Sequence, residues 1–273
     1  MPVTAQDPRD RARIDSLGRA RVALGAIFLL RTTPVLGALH IPFLFDTWPL
    51  LGWPDGHFHF EPLVAALPEL LVKVLCVLRT VAALAFMLGI GARPAGLVAG
   101  ALGYVTVTQI PGRLNTTEHV LFLGTILLAI TDAVNRCALR PGAIRSSRSS
   151  VWLMRIWIAS IYFWAGTAKL RWDWLDGSAL SLFRDDGKFA RWVSELLLST
   201  PTRRLIIGSA VAASEVALAA LLSIPRTRRV GLFAALGLHA GFELAASPDL
   251  FGWVMAALLL AFWEPSTPRA PAA

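Results

Sequence analysis

Eight long apolar runs, separated by shorter polar stretches, set the layout of the chain. They cover residues 17–36, 70–90, 95–110, 119–132, 152–170, 205–224, 230–245 and 251–263. Four of them match the roughly 17–25 residues that a helix needs to cross a bilayer, and those over 95–110, 119–132, 230–245 and 251–263 are shorter. The pattern predicts an all-α fold, a polytopic membrane bundle of about eight transmembrane helices occupying residues 17–263. The charged opening "MPVTAQDPRDRARIDS" reads as a disordered or interfacial tail over residues 1–16, because no small-residue cleavage site follows the first apolar run. Residues 264–273 read as a C-terminal tail. No internal repeat, low-complexity tract or linker marks a second domain.

Composition agrees with a membrane solvent: 55% of residues are hydrophobic, 16% are charged and the mean hydropathy is +0.59. A net charge of +8 would suggest nucleic acid in a soluble chain, but these charges sit between apolar runs, and no nucleic-acid partner is expected. Instead they set orientation. Arg9, Arg11, Arg13, Arg19 and Arg21 precede or open the first run; Arg136, Arg140, Arg145 and Arg148 follow the fourth; Arg226, Arg228 and Arg229 follow the sixth. With eight spans all three groups share one side, which the positive-inside rule makes cytoplasmic, together with both termini. The connection over residues 40–61 carries no Lys or Arg, and the one over 171–204 is mixed in sign. Cys76 and Cys137 have no metal-type spacing, so neither a disulfide framework nor a zinc site is expected.

This topology sorts the ionisable residues by depth. Lys169 ends the fifth run on the outer side, His119 begins the fourth there, and His239 and Glu243 lie in the outer half of the seventh. Polar groups at membrane depth are costly and normally face a bundle interior or cavity, so their convergence marks a functional site toward the non-cytoplasmic leaflet. Arg31, Lys73, Arg79 and Glu215 are further charges in or near the membrane, with Glu215 deepest and expected as a counter-ion to an arginine. Only three of the 26 basic residues are lysines, Lys73, Lys169 and Lys188. A desolvated lysine can surrender its proton and act as a base, which arginine cannot. Tyr162, Gly166, Lys169 and Asp173 fall at helical spacing on one face, with Gly166 leaving room one turn below the amine. The plain alternative is a lysine snorkelling to the headgroups.

The segment "AGTAKLRWDWLDG" resembles the motif of the vitamin K-dependent gamma-carboxylases and their relatives, the horizontally transferred transmembrane (HTTM) domain proteins. In these an Ala-Gly-x-x-Lys-Leu run is followed by Asp-Trp and a glycine, which puts Lys169 on the family's base. "NTTEHVLFLG" is similar to the family's Asn-His segment and puts His119 on its histidine, with Glu118 in place of the asparagine. "HAGFELAASPDLFGWVM" is similar to the segment from a histidine to Phe-x-x-Val-Met, which puts His239 on that histidine. The resemblance implies metal-free oxygenation of a vitamin K or menaquinone-type hydroquinone by O2 to its epoxide. Lys169 would serve as base, with His119 and His239 as donors to an oxyanion. In the carboxylases the same chemistry is coupled to addition of CO2 to a glutamate in a peptide or protein partner. Those enzymes continue into a large extramembrane domain where this sequence ends at "AFWEPSTPRAPAA". The expectation is therefore quinol epoxidation, with coupled carboxylation as the alternative reaction.

Two other classes compete. A non-catalytic quinone-binding protein, like the small DoxX-type membrane subunits, would need only the charge of Lys169. A transporter would use Arg31, Arg79, Glu215 and Glu243 as a charge path, but there is no repeat of the kind transporters carry. Around the amine, Trp172 and Trp174 are interfacial tryptophans that can also wall a quinone site. Glu243, one turn from His239, is either its orienting partner or a pocket acid. Lys73 and Arg79 are placed to hold an anionic substrate or lipid phosphate near the outer face. His57 and His59 in "GHFHF" form a His-x-His pair that reads better as an interfacial loop than as a metal site.

Overall fold

Each expected helix has a helical counterpart in the computed structural model, which describes residues 8–32, 67–108, 116–131, 137–139, 148–246 and 250–263. The long helices are α1 (Pro8–Thr32), α2 (Glu69–Leu88), α3 (Ala92–Val107), α4 (Thr116–Ile130) and α5 (Arg148–Ala168). Two short helices follow, α6 (Trp172–Leu175) and α7 (Ser178–Asp185), with a π-helical turn at Val193–Leu197. The chain continues through α8 (Pro201–Ser223), α9 (Arg228–Ala245) and α10 (Phe251–Leu259), the last ending in a 3₁₀ turn at Leu260–Phe262. Among the described residues the only β pairing is an isolated bridge between Phe189 and Ala246. The connection over 40–61 with His57 and His59, the arginines Arg136, Arg140 and Arg145, and the C-terminal tail lie outside the described residues.

Two departures from the sequence pattern have local causes. The segment expected as a tail is helical from Pro8, because Ile14, Ser16 and Leu17 are buried and give this polar stretch a packed face. The connection expected over 171–204 is built around buried Leu180, Val193 and Leu198, against which Trp174, Phe189 and Ile207 pack.

The chain divides into two compact units, one formed by residues up to Met154 together with those from Trp253 onward, the other by Arg155–Gly252. In the first, α1 packs on α2, α2 on α3 and α3 on α4. Phe28 and Phe122 meet with ring centroids 5.4 Å apart and tie α1 to α4. Glycines let α3 approach its neighbours: a Cβ at Gly96 would come within 2.6 Å of Phe86, and one at Gly100 within 2.5 Å of Ile126. Such small-residue faces are how helices pack closely where no hydrophobic driving force separates lipid from protein. Arg21 is fully buried and closes the end of α2, donating to the carbonyls of Phe86 and Met87 and, at 2.9 Å, to that of Cys137. A cation there satisfies orphan carbonyls and complements the helix dipole.

Two helices are long and apolar enough to cross a membrane, Leu70–Leu88 with 19 residues and Pro201–Ser223 with 23, and Thr116–Ile130 and Phe251–Phe262 are shorter apolar helices. At the α-helical rise these two spans measure about 28 and 34 Å, against about 30 Å of hydrocarbon. On α2 the outward face is Val74, Val77, Leu78, Val81 and Leu84, all exposed, while Arg79 is buried. Apolar side chains outside and a charge inside suit a lipid solvent.

Candidate functional site

The fifth helix stops at Ala168, so Lys169 sits in the turn that closes it, its N–H donating to the Gly166 carbonyl at 3.1 Å. The side chain folds back into the unit. Nζ donates to Glu215 Oε2 at 2.7 Å and Oε1 at 3.0 Å, and to the Ala165 carbonyl at 3.3 Å. Only 18% of the lysine side chain and 9% of the glutamate side chain are exposed. The Trp174 ring lies under the amine, 5.3 Å from Nζ to the ring centroid, within cation–π range. The lysine therefore does not snorkel outward.

Glycine makes this geometry attainable. The space expected below the amine at Gly166 is filled by the backbone of α8: a Cβ there would lie 2.8 Å from Val216 N and 3.0 Å from the Ala212 carbonyl. The same helix presents Gly208 to the Trp174 carbonyl, where a Cβ would be 2.5 Å away. These two approaches seat α5 and α6 on α8 and carry Glu215 to the amine. The counter-ion role expected for Glu215 thus holds with a changed partner, a lysine instead of an arginine. Glu215 was not among the residues singled out for the site. The signal that finds it is a lone carboxylate deep in an apolar run, which requires a cation on a neighbouring helix.

A second polar pair lies in the same unit. Tyr162, also on α5, shares a 2.8 Å hydrogen bond between its hydroxyl and His239 Nε2 on α9. Both residues are buried, His239 at 4% exposure. The imidazole sits among the rings of Tyr162, Phe242 and Phe251, with centroids 5.8, 6.3 and 5.7 Å away. Its Nδ1 is buried with no hydrogen-bond partner among the described residues. A buried ring nitrogen of this kind is an open donor or acceptor according to the tautomer.

The other expected residues divide. Trp174 is at the amine, whereas Trp172 is 77% exposed. Asp173 does not continue the helical face of Lys169, because the helix ends before it; its Oδ1 turns to Arg171 Nε at 3.5 Å. Glu243 is not the orienting partner of His239, since Nε2 is taken by Tyr162 and Nδ1 has no partner. Its carboxylate lies against Gly252, where a Cβ would come within 2.5 Å of Oε1. Arg171, Trp172, Asp173, Asp176 and Ser178 line an open surface depression. Asp176, which accepts from Ser178 N–H at 2.8 Å, is held below its ordinary pKa by that bond.

His119 and Arg79 belong to the first unit. His119 Nδ1 is 2.9 Å from the Tyr104 hydroxyl, which also donates to the His119 carbonyl at 3.1 Å. Beside it Glu118 accepts from Arg31 Nη2 at 2.7 Å and Nε at 3.0 Å, a buried ion pair. Arg79 is not displayed at an outer face. It is buried between α2 and α3 and donates to Thr106 Oγ1, as the cost of an unsolvated guanidinium demands.

No curated protein and no solved structure matches the chain. A family model described as the HTTM domain matches residues 8–266, nearly the whole sequence, and the chain therefore belongs to the HTTM domain family.

Proposed function

We propose that this HTTM protein is an integral membrane enzyme that oxygenates a lipid-soluble hydroquinone of the vitamin K or menaquinone type to its epoxide, using O2 and Lys169 as base. The observation that carries the reading is the placement of Lys169 Nζ, a shielded amine beside Trp174 at the end of the "AGTAKLRWDWLDG" motif. The surroundings fit an aromatic diol: an indole face for the ring, an amine for the hydroxyl proton, and the orphaned Nδ1 of His239 as a polar group with spare capacity. The hydroquinone and O2 supply the redox chemistry. The residues of the chain bind, orient and move one proton at Nζ. Tyr162 fixes the imidazole of His239, and Gly166 keeps α5 close enough to α8 for the amine to stay shielded. In this reading eight helices span the membrane with both termini cytoplasmic, and the site opens toward the non-cytoplasmic leaflet.

The Lys169–Glu215 ion pair also favours a second reading, a quinone-binding protein without catalysis, because a paired ammonium is how a membrane protein neutralises a buried charge. One experiment separates the two. Purified protein in nanodiscs is given reduced menaquinone or vitamin K1 and O2, with and without bicarbonate and a glutamyl peptide, and the epoxide is measured by mass spectrometry. Epoxide that disappears in Lys169→Ala and Lys169→Arg supports the enzyme. Epoxide formed only with peptide and bicarbonate makes carboxylation the coupled reaction. Quinone binding without epoxide, retained in Lys169→Arg, supports the binding protein.

A further inference from the structure

We infer that Glu215 is the proton acceptor of Lys169, taking the ammonium proton across the contact between Nζ and Oε2 and so releasing the free amine; the inference rests on the hydroquinone reading above. An ammonium held on both oxygens of a carboxylate has no lone pair to offer a substrate. Its proton must first go elsewhere, and the groups around it leave one destination. From α5 itself come the Ala165 carbonyl, which cannot keep a proton, and Tyr162, whose hydroxyl is bound to His239 of α9. From the α6 side come the Trp174 ring and Asp173, the latter turned to Arg171. From α8, among the described residues, comes Glu215.

Burial penalises both charges of an ion pair and favours the neutral amine and carboxylic acid. The Trp174 face and the closing carbonyls of α5 favour the ammonium. Moving the proton breaks one N–H bond, forms one O–H bond and leaves the pair neutral overall, so no oxidant or reductant is needed. The freed amine can then take one proton from a substrate hydroxyl. Hydroquinone plus O2 gives epoxide plus water, so that proton leaves in the water and the pair returns to its starting state.

A mere counter-ion and a proton acceptor differ in what Glu215→Gln does. In both cases the amide removes a negative charge from beside the amine, so acylation by acetic anhydride, which attacks the neutral amine and not the ammonium, should move to lower pH at Lys169 by about one to three units. Lys73 and Lys188 serve as internal controls in the same mass spectra, since they are the only other lysines. For a counter-ion the freed amine would raise epoxide formation or leave it unchanged. For a proton acceptor, turnover falls about 10²-fold although the amine is more reactive, the pH profile of turnover changes shape, and Glu215→Asp restores most of both. Faster acylation with slower turnover, rescued by aspartate, is the expected result. Acylation at Lys169 unmoved in Glu215→Gln, or turnover at or above the parent level, overturns the inference. If Glu215→Gln fails to yield monodisperse protein, Glu215→Ala takes its place with the same two readouts and the same aspartate rescue, and turnover at or above the parent level overturns the inference. No epoxide from the parent protein overturns the hydroquinone reading instead, and the acylation profiles still report whether Glu215 governs the amine.

Discussion

At the residue scale, the unit that carries Lys169 is organised by two hydrogen-bonded pairs anchored on one helix, Lys169–Glu215 and Tyr162–His239. Each pair buries polar atoms that are costly when left alone. Tyr162→Phe should therefore lower stability by about 1–3 kcal/mol, because it strands Nε2 of a histidine whose Nδ1 is already unpartnered. Thermal unfolding in detergent reads this directly, and an unchanged midpoint would show that water reaches the imidazole. Asp176 gives a pH-dependent counterpart outside the spans. Its carboxylate is favoured in the folded chain by the Ser178 N–H, so its folded value lies below the ordinary 3.8. The contribution is present above the unfolded value and is lost as pH falls through the folded one. Hydrogen exchange at the Ser178 amide, corrected for its intrinsic rate, should accelerate in acid below that value, and Asp176→Asn should abolish the pH dependence. Lys169 itself was legible in the sequence, as one of three lysines among 26 basic residues and the centre of the most specific motif. Its partner was not, because pairing α5 with α8 is a tertiary fact that no spacing within α5 encodes.

At the scale of elements, apolar run length was enough to locate the long helices, since a membrane-type segment announces itself by composition alone. What it missed were pieces whose helicity depends on packing. The start of α1 is polar in sequence and helical because Ile14 and Leu17 are buried. The 171–200 segment holds short helices too amphipathic to stand out between two apolar runs. Helix packing is where substitutions should bite. Gly166→Ala places a methyl against backbone atoms of Ala212 and Val216, which cannot step aside as a side-chain tip can. Overpacking of this kind costs roughly 1–3 kcal/mol and should also pull Lys169 away from Glu215. The control is Gly237→Ala on α9, where nothing lies within 4 Å of the added Cβ. That change should be neutral or stabilising by up to about 1 kcal/mol, since alanine is the better helix former. Equal midpoints for the two variants in a thermal scan would mean that α5 and α8 are not in close backbone contact.

At the scale of the molecule, the distribution of polarity is that of a protein solvated by lipid. Arg21, Arg79, Arg155, Glu118, Glu215 and His239 are buried, while Val, Leu, Ile and Phe side chains fill the outer faces of α2, α8 and α9. The arginine-rich connections then supply an orientation, and one cysteine makes it measurable. Cys137 is exposed, follows α4 and sits near Arg136 and Arg140 in sequence, so in the proposed orientation it faces the cytoplasm. Cys76, half-buried within Leu70–Leu88, is screened by lipid in the same picture. A membrane-impermeant maleimide should label Cys137 in inverted vesicles and leave it untouched in right-side-out ones, with Cys137→Ser as the blank. Labelling from the opposite side would invert the bundle, because the arginine groups after α4 and α8 are assigned together. Lys169, at the far end of α5 from that connection, would then deliver its amine to the cytoplasmic leaflet, and its hydroquinone would have to be presented from that side.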